Sequence, residues 1–412
     1  MILDLFFKAS KRQFNYPANH GVNIFLPYLF LSVAFRTFIL MRMDVDNFAT
    51  WLEIDLGTLE NNYRILQETT GTPVMPVVKA NAYGHGLEEV AKTFEKAGAK
   101  WCGVARIEEA LLLRGACIRM NILVLGYTAP QRVQEAILNN ISLTVYDPLV
   151  VQAYAQQAAL LNQPLEVQVK IDTGMGRLGI PIEKALEFIV QVKNRQEFHF
   201  QGIFTHFACA DEPEKPYTQQ QLEKFNKILE QMQSQGIRPE LIHSANSAAA
   251  LNFPSTRFDL VRCGLALYGL SPSDATHLPE GIKPTLSWKT RLISIKKIPS
   301  GHGISYGYQY FTKNSEKIGV IAAGYGDGLR RQIGNTVLLH DKRVPVVGNV
   351  CMDQCMLQLD HIPDACVGDE VVIIGKQGED EITVSEVAKN WNTISYEVIC
   401  GMAARMPRKY IH

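Results

Sequence analysis

From Thr50 onward the chain alternates short apolar runs with segments of helical periodicity, and this alternation limits the possible folds more than any other feature. Trp51-Leu52-Glu53-Ile54-Asp55 alternates with period two, as a half-buried strand does. In the next stretch Leu59, Tyr63 and Leu66 recur on one helical face. Strand-like runs follow at 75–78, 101–105, 121–125, 143–145, 166–171, 198–205, 241–243 and 260–262. Helical stretches separate most of them, at 87–97, 107–114, 131–138, 148–162, 182–193 and 217–235. Repeated strand–helix units predict a parallel sheet, and close to eight of them predict a closed barrel. After about Lys283 helical periodicity nearly vanishes. Runs at 290–298, 317–323, 336–339, 356–359 and 370–374, separated by Gly and Pro, predict an all-β second domain with a boundary near Pro284. The expected fold is therefore α/β, a (β/α)8 TIM-like barrel over 44–284 followed by a C-terminal all-β domain over 285–412. The strand near 50–55 is expected to join that second domain.

The length agrees with two domains, since 412 residues exceed what one core usually supports. With 41 basic and 41 acidic residues the chain has no formal net charge, which argues against a polyanionic partner. The eight cysteines are scattered, with no C-x-x-C pair and no histidine at zinc spacing. Cys351 and Cys355 flank Asp353, but two thiols without two further ligands do not make a metal site. They are read as reduced thiols of a cytoplasmic enzyme that carries no metal. Residues 1–43 stand apart. Val22 to Phe35 is largely apolar and the run resumes after Arg36, yet Pro27 and Arg36 interrupt it, whereas a span needs roughly 20 apolar residues. Lys8, Lys11 and Arg12 resemble the basic start of a signal peptide, but Phe35-Arg36-Thr37 is a poor cleavage site. The preferred reading is an extension that the folded enzyme does not need, with Met41 or Met43 as the functional start, over a membrane-associated helix.

Chemistry-bearing residues sit just beyond the predicted strands. Lys79 ends the run Val77-Val78-Lys79 and leads into Ala80-Asn81-Ala82-Tyr83-Gly84-His85-Gly86. In a barrel the carboxyl ends of the strands carry the active site, and a buried lysine readily loses its charge and becomes a nucleophile. A lysine snorkelling into a glycine-rich turn fits the same residues, and the residues alone leave both readings open. Lys170 begins Lys170-Ile171-Asp172-Thr173-Gly174-Met175-Gly176-Arg177, where Arg177 can pair a carboxylate or a cofactor oxygen. His206, the segment His243-Ser244-Ala245-Asn246-Ser247, and Arg262-Cys263-Gly264-Leu265 occupy three more strand ends. One such histidine is ordinarily a satisfied core residue. Five strand ends that direct polar groups to one rim point to an active site. In the β region, Tyr306, Tyr325, Met352, Asp353 and Tyr396 lie in turns or polar loops and carry no meaning individually.

Taken in order, these motifs resemble those of the alanine racemase family, from about Thr50 to the end of the chain. The resemblance implies a barrel that carries pyridoxal 5'-phosphate and a head-to-tail homodimer with shared active sites. It makes Lys79 the Schiff-base lysine and Tyr83 a phosphate ligand, with Asn246, Ser247, Gly264, Leu265 and Tyr396 completing the cofactor cradle. Leu265 replaces a commoner isoleucine, which a backbone contact tolerates. Arg262 would face the pyridine nitrogen with support from His206, and Arg177 would lie near the cofactor's phenolic oxygen and the substrate carboxylate. Lys170 matches a lysine that is carbamylated in some members. Tyr306, Met352 and Asp353 would come from the partner subunit, Tyr306 as the second base, and Tyr325 and Arg331 would line the substrate entrance. The implied reaction is a two-base interconversion of L- and D-alanine that supplies D-alanine for peptidoglycan. Lys79 would take the proton from D-alanine and Tyr306 from L-alanine. Among rivals, basic-amino-acid decarboxylases of similar barrel place an acidic residue where this chain has Arg262. A cofactor carrier made of the barrel alone would need no second base. A serine or broad-specificity racemase differs only in the pocket.

Overall fold

Eight short parallel strands form a ring in the computed structural model, which describes residues 48–412; the expected N-terminal extension, 1–43, lies outside the described residues. A strand outside the ring comes first, β1 (Thr50–Asp55). The ring strands are β2 (Val74–Pro76), β3 (Trp101–Val104), β4 (Asn121–Val124), β5 (Ile141–Val145), β6 (Leu165–Asp172), β7 (Phe198–Phe204), β8 (Leu241–His243) and β9 (Val261–Cys263). Strands β3 to β8 pair in sequence order, and β9 pairs with β2. Backbone bonds close the two seams. Val78 N–H donates to Gly103 O at 2.8 Å across the first, and Arg262 N–H donates to Ala245 O at 2.9 Å across the second. The connections are right for a barrel because each strand is followed by a helix or turn that returns the chain to the same end.

Burial explains the strand composition. All five residues of β5 are buried, including Ser142 and Thr144. Their hydroxyls are satisfied within the sheet, by Gln201 Oε1 at 2.8 Å and by Val124 O at 2.6 Å. Met75, Leu123, Phe204 and Leu260 form a cluster of their own, separate from the main core to which the helices contribute. Strand β1 passes directly into the helix Leu56–Thr70, because the Asp55 carboxylate accepts from Thr58 N–H at 2.7 Å and caps the helix.

The C-terminal part is organised around one long strand, β10 (Leu286–Ile298). Its first half pairs antiparallel with β1 and its second half with Glu316–Ile321, while it also pairs with Glu370–Gln377. The sheet order therefore returns to β10 through Thr336–Leu339, Lys342–Val347 and Cys355–Gln358. The last strand, Arg408–Ile411, runs parallel to β1 with Arg408 opposite Leu52. Helices are few here, but two are present, Val384–Asn390 and Ser395–Cys400. At seven and six residues they are too short to leave a helical period in the sequence. The second carries Tyr396 back to the barrel rim.

Candidate active site

The carboxyl ends of the barrel strands surround a cavity of about 260 Å³. It gathers eleven of the residues singled out from the sequence: Lys79, Tyr83, Lys170, Arg177, His206, Asn246, Ser247, Arg262, Gly264, Leu265 and Tyr396. Strand ends supply most of them, the helix Ser395–Cys400 supplies Tyr396, and Val77, Leu125 and Phe204 supply apolar wall.

Lys79 opens a segment of unusual conformation. Ala80, Asn81, Ala82 and Tyr83 all have φ between 52° and 56°, so the chain winds left-handed for four residues without a glycine. Such winding costs roughly 1–2 kcal/mol per L-residue and is normally limited to single positions. Backbone bonds from Ala82 N–H to Val78 O, at 2.8 Å, and from Gly86 N–H to Asn81 O, at 3.0 Å, close the turn. Strain of this kind is kept where the surroundings enforce it, commonly at a functional site. The result brings Lys79 and Tyr83 to the same cavity although both are close in sequence.

Arg262 is the buried hub. Its Nη1 donates to His243 Nδ1 at 2.8 Å, and its Nη2 donates to Thr205 O and Ser244 O, each at 2.8 Å, and to His206 Nδ1 at 3.2 Å. Because guanidinium only donates, both histidines accept at Nδ1 and carry their proton at Nε2. His243 passes that proton's bond to Gln168 Oε1 at 2.7 Å. The Phe204 ring stacks on His243, with centroids 4.8 Å apart, and lies under the Arg262 guanidinium at 5.3 Å and the Lys170 ammonium at 5.5 Å. Burial lowers the Arg262 pKa to about 9, so it remains charged at neutral pH. Burial, reinforced by Arg262, holds His206 and His243 well below the usual imidazole range, and both are neutral.

The cavity is cationic. Burial first, and then the Arg177 charge, lower the pKa of Lys79, and the same two causes bring Lys170 down to about 8. A pocket that holds Lys79, Lys170, Arg177 and Arg262 attracts an anion and makes an amine easy to deprotonate. The tyrosines do the opposite. Burial raises Tyr83 far above its ordinary value and Tyr396 to about 12, so both phenols stay protonated and act as donors. Ser247 Oγ accepts from Gly264 N–H at 2.9 Å, which leaves its own proton available. A Cβ at Gly264 would lie 2.4 Å from the Tyr83 hydroxyl oxygen, so this position admits only glycine beside that phenol. Three hydroxyls, with Gly264 and Leu265 at the start of the turn Leu265–Tyr268, therefore line one cavity with an amine and an arginine. These donors fit pyridoxal phosphate, which presents a phosphate at one end and an aldehyde at the other.

Five expected residues lie elsewhere. Tyr306 is 71% exposed, Met352 53% and Tyr325 44%, and Asp353 and Arg331 are exposed as well. Tyr306 is presented by a turn in which Ser305 and Tyr308 have positive φ, pinned by Ser305 Oγ donating to Asn349 O and Asn349 Nδ2 donating to Tyr306 O, both at 2.6 Å. Gly326 N–H donates to Met352 O at 2.8 Å, and Arg405 bridges Asp353 and Asp327, each at 2.8 Å. This surface does not reach the chain's own cavity, whose lining it nowhere joins. Sequence reasoning placed His243 only within a strand-end segment and gave no role to Phe204, Gln168 or Glu109. The first three are spread over three strands and meet only when the barrel closes. Glu109 offered a signal, an acidic residue in the first turn of a helix after a strand, which here accepts from Ala105, Arg106 and Ala80 N–H groups.

Among the described residues no helix is long and apolar enough to cross a membrane, and no group of three or more His, Cys, Asp or Glu is arranged to hold a metal ion. Residues 54–272 match the family model of the alanine racemase N-terminal domain, and 285–410 that of the alanine racemase C-terminal domain. An alanine racemase of Symbiobacterium thermophilum is 41% identical over 372 residues, covering 89% of this chain and 99% of that protein. The crystal structure of alanine racemase from Bacillus anthracis with bound L-Ala-P superposes with a TM-score of 0.84 at 39% identity, covering 88% of this chain and 95% of the other. A histidine racemase from Leuconostoc mesenteroides subsp. sake is more distant, with a TM-score of 0.82 at 29% identity, covering 89% and 99%.

Proposed function

The chain belongs to the alanine racemase family, and from that premise we propose how its residues share the work of interconverting L- and D-alanine. It is a pyridoxal-phosphate-dependent isomerase, and its product D-alanine serves peptidoglycan synthesis. When bound, the cofactor supplies a conjugated electron sink that acidifies the α-hydrogen of the amino acid. Lys79 would hold its aldehyde end, while Tyr83, Ser247, Tyr396 and the backbone at Gly264 and Leu265 would hold the phosphate, beside Asn246. Arg262 would face the ring nitrogen, held in orientation by its bonds to His206 and His243. As a donor that does not give up its proton, it would limit how strongly the ring withdraws electrons and so restrain side reactions.

Racemisation needs one base on each face of a planar carbon. The Lys79 amine, with its pKa lowered by burial and by Arg177, is suited to take the proton from D-alanine. The Tyr306 hydroxyl is proposed to exchange the proton on the L face. A phenol is ordinarily protonated at neutral pH, so such a base works only beside positive charge, which the cationic cavity supplies. Since Tyr306 lies away from its own cavity, it would serve the cavity of a second copy, together with Met352 and Asp353, in a homodimer. Tyr325 and Arg331 would border the entrance of that shared site. Arg177 would pair the substrate carboxylate, and Lys170, close to neutral at slightly alkaline pH, is suited to carbamylation. In this proposal the barrel domain, 44–284, binds the cofactor and the β domain, 285–412, completes the neighbouring site, in a cytoplasmic enzyme.

The convergence of a low-pKa lysine and three protonated hydroxyls on one cavity carries the reading. It is tested by following D-alanine formation from L-alanine with the purified, cofactor-loaded protein, with L-serine and L-histidine as competitors. D-alanine formation that both competitors inhibit only weakly is expected. Bound cofactor without D-alanine would contradict it and point to another amino acid or to a carrier.

A further inference from the structure

The left-handed segment 80–83 is unfavourable by itself, so other parts of the chain must hold it. At its start, Glu109 Oε1 accepts from Ala80 N–H at 2.6 Å. The other oxygen of the same carboxylate accepts from Ala105 N–H at 2.8 Å and Arg106 N–H at 3.2 Å, which fixes it to the end of β3. At the far end, Arg408 Nε donates to Gly84 O at 2.8 Å, and its Nη1 donates to Met406 O at 3.0 Å. Arg408 lies on the last strand of the chain, some three hundred residues from the turn it grips. The helix Ser395–Cys400 closes another side. A Cβ at Gly84 would lie 2.1 Å from Ile399 O, so the turn rests directly on the helix that carries Tyr396.

The turn is thus pinned at one end by the barrel and at the other by the C-terminal strand and helix. Lys79 lies just before the first pin and Tyr83 just before the second, and both line the cavity. One cofactor has to be reached by both, at opposite ends of its ring. A shift of a few tenths of an ångström in the turn moves the two groups together, and errors of that size matter for positioning.

We propose that Arg408 and Glu109 are positioning residues for this turn, and that through them the C-terminal strand and the second barrel unit set how Lys79 and Tyr83 engage the cofactor. The proposal rests on the reading of Lys79 and Tyr83 given above. Neither Arg408 nor Glu109 touches cofactor or substrate in it.

The test uses the full chain with Arg408→Met, Arg408→Lys and Glu109→Gln. Methionine keeps the apolar stem and removes the donors, lysine restores one donor, and glutamine keeps only one of the two acceptor oxygens, so it cannot serve both Ala80 N–H and the β3 end. Four quantities are measured: the Kd of pyridoxal phosphate for apo-protein, the pH midpoint of the bound cofactor's visible absorbance, kcat and KM for alanine, and Tm. Arg408→Met is expected to weaken cofactor binding by about tenfold to a hundredfold, to shift the absorbance midpoint, and to lower kcat with little change in KM. Arg408→Lys should recover most of that loss, and Glu109→Gln should fall between. If Arg408→Met does not fold, Arg408→Lys and Glu109→Gln decide by the same readouts. Variants that lower only Tm, with Kd, absorbance midpoint and kcat within about twofold of the parent, would overturn the proposal. Borohydride trapping in the parent protein, mapped by peptide mass, is done first. Cofactor trapped on another lysine would refute the underlying reading and this proposal with it, whereas trapping on Lys79 with unaffected variants refutes this proposal alone.

Discussion

The barrel rim buries charged residues, whereas the C-terminal loop surface exposes aromatic and apolar ones. At the rim, Arg262 is only 4% exposed and has four hydrogen-bond acceptors, and Lys170 is 5% exposed. On the loop surface Tyr306, Tyr308, Tyr325 and Met352 are exposed on turns whose backbones are nonetheless fixed by specific hydrogen bonds. A fixed loop that presents bare aromatic groups is the kind of surface the proposed partner contact requires. In the proposed reading the rim binds the cofactor, and the loop surface supplies the part of a reaction site that a second copy would use. On that reading cofactor binding belongs to the rim alone, while the chemistry draws on both regions.

Substitutions at the two regions should break that comparison in different ways. The largest effect is expected from Lys79→Ala, which under the proposed reading would remove both the cofactor's attachment and one base. Racemisation should fall by more than about a thousandfold, and borohydride should no longer trap cofactor on the protein. Tyr306→Phe should lower conversion of L-alanine by about a hundredfold to ten-thousandfold. Cofactor affinity, measured by titrating apo-protein, should stay unchanged, because Tyr306 lies outside the cavity. Equal losses of cofactor binding in both variants would erase the distinction between the regions.

A smaller effect is expected from Gly264→Ala. The added methyl would meet the Tyr83 hydroxyl at 2.4 Å, so the phenol must shift from its place in the cavity. Cofactor affinity should drop by about tenfold, with the loss smaller when Tyr83→Phe is already present. Full additivity of the two substitutions would show that the methyl acts by another route.

The smallest effects concern pH and stability. His85 is lowered to about 4 by burial, and His206 and His243 lie well below their usual value, so the folded chain keeps all three neutral. Below about pH 6.5 the unfolded chain takes up protons that the folded chain refuses, so stability should fall as pH drops through that range. Lys170, at about 8 when folded, gives a change of the same sign at alkaline pH. Between about 8 and the ordinary lysine value the unfolded chain binds the extra proton, so this group alone makes stability rise with pH there. Tm of His243→Gln should depend less on pH between 4 and 6.5 than that of the parent. An identical slope would mean that His243 is not neutral in the fold.

Much of this was legible in the sequence because each strand end announces itself locally. The residues just before Lys79, His206 and Arg262 are largely apolar, Lys170 falls near the end of an alternating strand, and each of these polar residues falls on the rim once the strands lie parallel. The features that were not legible depend on closure. The Phe204 ring shared by Lys170, Arg262 and His243 joins residues from separate strands, and no spacing encodes it. The left-handed winding after Lys79 was equally hidden, since Ala80-Asn81-Ala82-Tyr83 has no intrinsic preference for it. Arg408 and Glu109, which hold it, are remote in sequence. The two short C-terminal helices were missed for want of length, although Thr383, whose Oγ1 caps the first at 3.0 Å from Glu386 N, was a readable start signal.

The most direct test of the shared site is complementation between two inactive variants. Lys79→Ala and Tyr306→Phe are co-expressed with different tags, and the mixed dimers are isolated and assayed for racemisation. If Tyr306 serves the partner's cavity, each mixed dimer contains one intact site, and activity should return to about half that of the parent dimer. Mixed dimers as inactive as the two variants alone would contradict the account and would place Tyr306 at its own chain's cavity, whereas a Tyr306→Phe protein that is fully active alone would place Tyr306 outside the reaction.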